Sequence, residues 1–457
     1  PRLSGHVVID TVERAILAGL VAYITAHGHR WSWFVGAAFI LLPARGPSLV
    51  LVALASLAAT WAATRPSRPK HVGALVGGLL ANACLWYTDQ AFAPPVIAAC
   101  ALVGTGILTV SGYRAMKPAP RRSVTPLLLA ALAVVVLGLG GAIVGALLSA
   151  SDLTAGTADA RKALSAVENG DTESARLSLE SARQHLDRAD GVLGPATLAA
   201  RLVPSLAQHV TALDIALGES RNITKAADGL LASADYDRLR YRGRIDIAQL
   251  RALSPDASDV HEVLTRAEGR LTEAGAPWLV GPVRDRLDDL HSEVSDVQAA
   301  SGLASHVLEV APALFGGDGD RRYLVVFMTP AELRGGGGFI GSYAELLASD
   351  GRFRLAESGP IRDLIYHGEF GDRTLNGPTE YLSRYGRFHT VDYIQDVTLS
   401  PHFPYNAEVL AQLYPQAGGS PVDGVIGIDP IGLAALLELT GPVQVEGRDE
   451  PLTAENA

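Results

Sequence analysis

Residues 323–347 read YLVVFMTPAELRGGGGFIGSYAELL: an apolar run, a charged turn with Glu332 and Arg334, four glycines, and a second apolar run. Residues 323–328 have the unbroken β-prone composition of a strand buried on both faces, and 339–347 read as its partner. Gly335, Gly336, Gly337 and Gly338 therefore join two strands. Consecutive glycines add to the entropy cost of folding, so a loop with four of them needs positive φ or a close approach to its main chain. Two readings stay open. One is a flexible hairpin with an exposed Glu332–Arg334 pair; the other is an anion site where backbone N–H groups and the Arg334 guanidinium converge on phosphate or carboxylate. No Lys-Ser/Thr follows the glycines and no G-x-G-x-x-G opens a helix, so neither nucleotide-binding fingerprint is present.

Downstream, short apolar runs alternate with Gly, Pro and Asp. Strands are expected at 353–357, 425–428 and 443–445, and helices at 406–414 and 430–440, which together predict an α/β layer domain over 320–457, incomplete at its C-terminus. Pro360-Ile361-Arg362-Asp363 follows a strand directly, so Arg362 and Asp363 are expected on the loop at its C-terminal end, where ligands gather in open α/β sheets. Asp429 with Pro430 behind it reads as the N-cap of the last helix.

Upstream, residues 151–315 are rich in Ala, Leu, Asp, Glu and Arg with apolar residues at helical spacing. They predict a helical stalk or bundle broken at 191–195, Pro204, 236–243, Pro255 and 276–282. Its histidines, among them His185, His209, His261 and His291, form no i, i+4 pair and do not read as metal ligands.

The first 150 residues differ in kind. They hold 11 basic and 3 acidic residues, against 27 and 45 in the remainder, and mean hydropathy over the chain is +0.20. Runs at 48–64, 71–87, 91–110 and 126–148 are long and apolar enough to cross a hydrocarbon core as helices; 31–42 reads as a fifth span, and 12–26 as a sixth or an interfacial helix. Arg65, Arg68 and Lys70 fill one inter-span loop, Arg114, Lys117, Arg121 and Arg122 another, and only Asp89 stands in the loop between. The positive-inside rule makes the basic loops cytoplasmic and sends everything after Ser149 outside. No charge interrupts the four clearest spans, which argues for an anchor over a proton or ion path. Cys84 and Cys100 both lie in this apolar third, which leaves the rest without a disulfide or thiolate metal site.

PAELRGGGGFIGSY, residues 330–343, resembles the signature of a bacterial membrane-protein family catalogued as domain of unknown function 4012, with similarity from about residue 150 onward. The α/β part is also similar to the LytR-CpsA-Psr family of outward-facing cell-wall polymer ligases. There, residues 422–445 look like that family's strand–helix–strand unit, residues 360–363 like its P-R-D motif, and Asn406 like its helix-start asparagine. Two departures stand out: Ile361 separates the proline from Arg362, and the glycine run is not that family's. The resemblance implies transfer of a glycan from a polyprenyl pyrophosphate carrier to a cell-wall polymer. Arg334 and Arg362 would hold the pyrophosphate in one cleft, Asp363 would bind magnesium or orient the acceptor, and Glu332, the four glycines and Asn406 would line the ligand site. Both arginines are then expected to be exposed and to contribute little to stability.

A non-catalytic envelope scaffold, or a glycan- or partner-binding head on a stalk, is the alternative. Ser342 lacks a G-x-S-x-G elbow, which argues against an esterase, and the acidic remainder argues against nucleic-acid binding. Oligomeric state has no signature here.

Overall fold

The computed structural model describes residues 7–41, 57, 61, 94–203, 206–233, 240–241, 243–275, 279–368 and 370–457. Apart from Leu57 and Trp61, the runs expected to span at 48–64 and 71–87 lie outside the described residues. The fold is mostly helical, with one long apolar helix and a small mixed sheet in the C-terminal part. The chain divides into two compact units, residues 1–232 with 258–302, and 233–257 with 303–457.

In the first unit, α1 (Val7–Thr25), α2 (Arg30–Leu41) and α3 (Pro94–Ala115) meet through small residues and polar ties, among them the His29 N–H donating to the Ser111 hydroxyl at 3.2 Å. Gly112 lies against Ile24, Gly36 against Leu108, and the Trp33 indole N–H donates to the Thr25 carbonyl at 2.8 Å. The dominant element is α4 (Pro118–Glu168), 51 residues long, which at 1.5 Å per residue reaches about 76 Å. The sequence predicts a boundary between an apolar span ending at 148 and a helix starting at 152. The helix crosses it unbroken. Ser149 and Thr154 hydroxyls donate to carbonyls one turn back, Gly145 and Ala150, so the polar residues read as a border are satisfied on the helix itself.

The chain reverses at Asn169–Asp171, a break absent from the sequence expectation. Gly170 takes φ +74°, and the Asp171 carboxylate accepts from the Ser174 N–H at 3.0 Å to cap α5 (Thr172–Ala196). α5 then runs back along α4. Ser181 donates to Asp159 at 2.7 Å, His185 and Arg188 meet Asp152 at 2.8 and 3.0 Å, and Gly145 and Gly141 face Ala196. A short 3-10 turn (Ala200–Leu202) leads to α6 (Leu206–Ser233), whose Leu217 packs with Leu186 and Leu193. α7 (Ile247–Ala274) and α8 (Gly281–Leu314) join through Leu264, Leu271, Leu287 and Val294, packed around Ala212.

The break expected at Pro255 does not occur, since α7 runs through it, and the one expected at 191–195 falls just beyond, where α5 ends at Ala196. Pro255 forfeits one helical hydrogen bond, but Leu253 is buried beside it and holds the helix by packing.

In the second unit, a two-residue hairpin, β1 (Arg240–Tyr241) with β2 (Arg244–Ile245), precedes the main sheet. β3 (Arg321–Thr329), β4 (Phe339–Ser349), β5 (Arg352–Pro360) and β6 (Gly424–Ile428) lie in the order β5-β4-β3-β6. All neighbours are antiparallel except β3 and β6. A parallel β3–β6 pair needs a crossover. It is supplied by α9 (Ile361–Tyr366), α10 (Thr379–Tyr385), two 3-10 turns (Gly386–Phe388 and Ile394–Leu399) and α11 (Phe403–Gln416). Leu324, Val326 and Ile340 of the sheet form one core with Ile361, Leu364, Tyr381, Val397, Leu410 and Leu413.

α12 (Pro430–Thr440) starts where the sequence places it, with the Asp429 carboxylate accepting from the Gly432 N–H at 2.7 Å. The strand expected at 443–445 is reduced to a single antiparallel bridge, Val443 to Leu452. Both valines are more than a third exposed, so no neighbour extends them into a ladder.

Gly141 has no room for a side chain, because a Cβ there would collide with the Ala196 carbonyl oxygen, whereas one on Gly140 meets nothing within 4 Å. Gly141→Ala is expected to cost about 1–3 kcal/mol through overpacking. Gly140→Ala should hold or raise stability, because alanine favours the helix. Thermal unfolding of the two purified variants checks the contrast.

Candidate functional site

The register brings the expected residues to one edge of the sheet. Thr329 pairs with Phe339, Ser342 with Pro360, and Phe327 with Ile428, so β3, β5 and β6 all end on the same side. The 330–338 loop with Arg334, the 360–363 segment and Asp429 emerge there in turn.

At β3–β4 the glycine loop is packed. The Gly336 N–H donates to the Thr398 carbonyl at 2.7 Å, and the Thr398 hydroxyl donates to the Gly338 carbonyl at 2.6 Å. A Cβ on Gly336 would stand 2.5 Å from the Asn406 side-chain nitrogen and 2.7 Å from the Ser400 carbonyl oxygen, and Gly338 sits at φ +132°. Close contact with residues 398–406 and a left-handed backbone therefore account for glycine at these two positions. Asn406 is fully buried and donates to the Ser400 carbonyl at 2.9 Å, while its Oδ1 has no partner among the described residues. Glu332 closes the loop through its main chain, which accepts from the Phe339 N–H at 3.2 Å, and its side chain is exposed.

Arg334 is engaged. Its Nε and Nη2 both donate to Asp396 Oδ1, at 3.0 and 2.9 Å, its Nη1 donates to the Leu333 carbonyl at 3.0 Å, and its side chain is 22% exposed. This corrects the expectation of a free, exposed guanidinium. The partner, Asp396, lies 62 residues away on the Ile394–Leu399 turn, and nothing near Arg334 in sequence announces it.

Arg362 and Asp363 are in the first turn of α9, where a loop was expected. Ile361 and Leu364 are buried in the core, and this draws the segment into a helix directly after β5. Arg362 is 76% exposed, with its Nε 3.9 Å from Asp363 Oδ1. The loops thus share an edge, but the two guanidiniums have separate partners. Among the described residues no three of His, Cys, Asp and Glu gather as a metal cluster, so Asp363 has no preformed donor set around it.

One buried carboxylate of the sheet has no sign in the local sequence. Glu345 of β4 is 4% exposed, ion-paired to Arg322 of β3, and accepts from the Tyr414 hydroxyl of α11 at 2.9 Å. Tyr343, two residues earlier on the same strand face, donates to Glu357 of β5 at 2.9 Å, with its ring 6.0 Å from that of Tyr414. Burial, reinforced by the bond to Glu357, pushes the Tyr343 hydroxyl up to about 12, and burial and Glu345 raise Tyr414 as well. A buried carboxylate with a cation and a hydroxyl on it ties three elements together. A second internal tie is Arg373, 6% exposed, which donates to the carbonyls of Leu364, Ile365 and His367 and caps the end of α9.

A four-stranded mixed sheet covered by a helical crossover, with loops gathered at one strand edge, makes this part a small α/β domain. Residues 318–457 match the profile of the family described as Protein of unknown function (DUF4012). The match starts at 318, so the helical residues expected to share the resemblance lie ahead of it. No curated protein and no solved structure matches the chain.

Two outcomes are expected. Arg334→Ala should lower stability by about 1–2 kcal/mol, between the values for exposed and buried ion pairs, whereas Arg362→Ala should stay within about 0.5 kcal/mol of the parent. Denaturant midpoints read both. Tyr343 and Tyr381 hold their protons to about 12 in the folded state, while an unfolded tyrosine ionises near pH 10. The unfolded state therefore binds fewer protons above pH 10, and stability falls as pH rises from there through 12. Tyrosinate absorbance in a pH titration should show these tyrosines ionising only as the domain unfolds.

Proposed function

We propose that the protein is anchored in a membrane by its N-terminal third and carries its helical region and α/β domain outside the cytoplasm, as a binding or scaffolding component of the cell envelope. The observation that carries this reading is α4. Its best 18-residue window has a hydropathy of 2.8 and is only 6% buried. Leu129, Leu137, Ile143 and Leu147 are each more than half exposed. So long a run of exposed apolar side chains on one helix needs a hydrocarbon solvent. Arg114, Lys117, Arg121 and Arg122 flank its start, which assigns that end to the cytoplasm by the positive-inside rule.

For the α/β domain, the internal engagement of Arg334, Gly336 and Asn406 supports a binding or scaffolding role over catalysis. The other reading is a glycan phosphotransferase resembling the LytR-CpsA-Psr enzymes. It is favoured by one feature, the exposed Arg362 beside Asp363 at the strand edge where ligands collect. In that reading magnesium arrives with the substrate's phosphates, since it takes only one or two carboxylates from a protein.

A reporter inserted at the Gly170 turn should be active only outside the cytoplasm and one at Lys117 only inside; the opposite pattern overturns the anchored reading. The two roles separate on a polyprenyl pyrophosphate-linked glycan presented in detergent micelles. Binding without release of polyprenyl phosphate supports the scaffold, and release that is lost in Arg362→Ala supports the transferase.

A further inference from the structure

The α4–α5 hairpin places a second segment at membrane depth. α5 runs back along α4 past the end of the bundle contacts and stops beside the apolar run. Gly141 and Gly145 face Ala196, and Gly138 faces Ala199 and Ala200, so closely that a Cβ added to Gly138 would stand 3.1–3.2 Å from their backbone atoms. Gly138 and Gly141 precede Leu148, the end of that run, by about 15 and 10 Å along the helix axis at 1.5 Å per residue. A bilayer that covers the apolar part of α4 therefore reaches the turn between α5 and α6 as well. We infer that this turn, residues 197–203, is inserted into the outer leaflet beside α4, giving the protein a membrane contact besides its spanning helices. The inference rests on the anchored reading above and deepens it.

Three features of the turn fit hydrocarbon contact. Leu198 and Leu202 are 64% and 57% exposed, and Val280 at the α7–α8 connection is 55% exposed, its N–H held by His209 near the start of α6. Leu198 and Leu202 flank Ala199 and Ala200, which stand against Gly138 of α4. Several backbone groups of the turn bond within the chain, which suits a segment that enters hydrocarbon. Thr197 N–H donates to Leu193, Arg201 to Thr197, Leu202 to Ala199 and Val203 to Ala200, and the Thr197 hydroxyl donates to the Leu193 carbonyl at 2.7 Å. The one charge in the turn, Arg201, is paired with Asp214 at 2.7 Å, so the tip brings no net charge to the bilayer. The close glycine–alanine contact lets the two backbones approach as small-residue interfaces between membrane helices do.

The test is site-directed spin labelling of the full chain in phosphatidylcholine–phosphatidylglycerol vesicles, in a background with Cys84 and Cys100 replaced by alanine. Nitroxides are placed singly through Leu198→Cys, Leu202→Cys, Leu139→Cys within the α4 run, and Glu173→Cys at the far end of α5. Collision with oxygen against a water-soluble nickel chelate reports depth. The expected result is oxygen-dominated relaxation at 198 and 202, at depths of about 5–15 Å on the axis spacing above, with Leu139 also buried and Glu173 in water. Labels at 198 and 202 as open to the chelate as Glu173, while Leu139 stays oxygen-dominated, overturn the inserted turn and leave the anchor standing. Chelate access at Leu139 itself overturns the anchor and the inserted turn together.

Discussion

On the proposed anchored reading, one helix has to satisfy two solvents. Over residues 126–148, α4 presents leucine, valine and isoleucine outward on nearly every side, and over 152–163 it presents Asp152, Gly156, Asp159 and Ala163 to the neighbouring α5. Apolar side chains left in water on the first stretch would oppose folding at about 25 cal/mol per Å² exposed, so the account of the first unit depends on what covers them. Because α4 does not break, the proposed anchoring and its packing on α5 would be mechanically one thing, and the bundle would inherit the tilt and position of the helix that carries it. The glycines at 138, 141 and 145 make this possible, by letting the α5 terminus close onto α4 within the apolar stretch.

The second unit depends on a different constraint, the parallel β3–β6 pair. Its crossover carries α9, α11 and the Ile394–Leu399 turn across one face, and those pieces pack against Gly335 and Gly336 and hold Arg334. Asp423 reinforces the pair, since its carboxylate accepts from the Arg322 N–H at 2.8 Å and sits near Arg321; the backbone bond first, and the arginine second, hold it below the usual carboxylate range. The candidate site is therefore built as an extension of the core. Open to solvent are the start of α9, with Arg362 and Asp363, and the loop tip, with Glu332 and Leu333.

Much of this was legible in the sequence where the signal is local. The runs at 323–328, 339–347 and 425–428 became strands, and the last helix began at its Asp429 cap and Pro430, because apolar composition and capping chemistry act over a few residues. Long-range partners left no such trace. Asp396 stands 62 residues from Arg334, and Tyr414 stands 69 residues from Glu345, so a free arginine and an unremarked glutamate turned out to be paired. The continuity of α4 was hidden for the opposite reason: Ser149, Ser151 and Asp152 look like a boundary, yet Ser149 bonds to its own helix and Asp152 to α5. The glycine run was read for ligand room, while the room is taken up by residues 398–406.

The central claim is that α4 passes from lipid to protein surroundings partway along its length. Photo-crosslinking from a diazirine-bearing phospholipid, mapped by mass spectrometry on the reconstituted full chain, tests it most directly. The account predicts adducts within residues 127–148 and none within 152–168. Adducts absent from 127–148, or spread evenly along the whole helix, would contradict it.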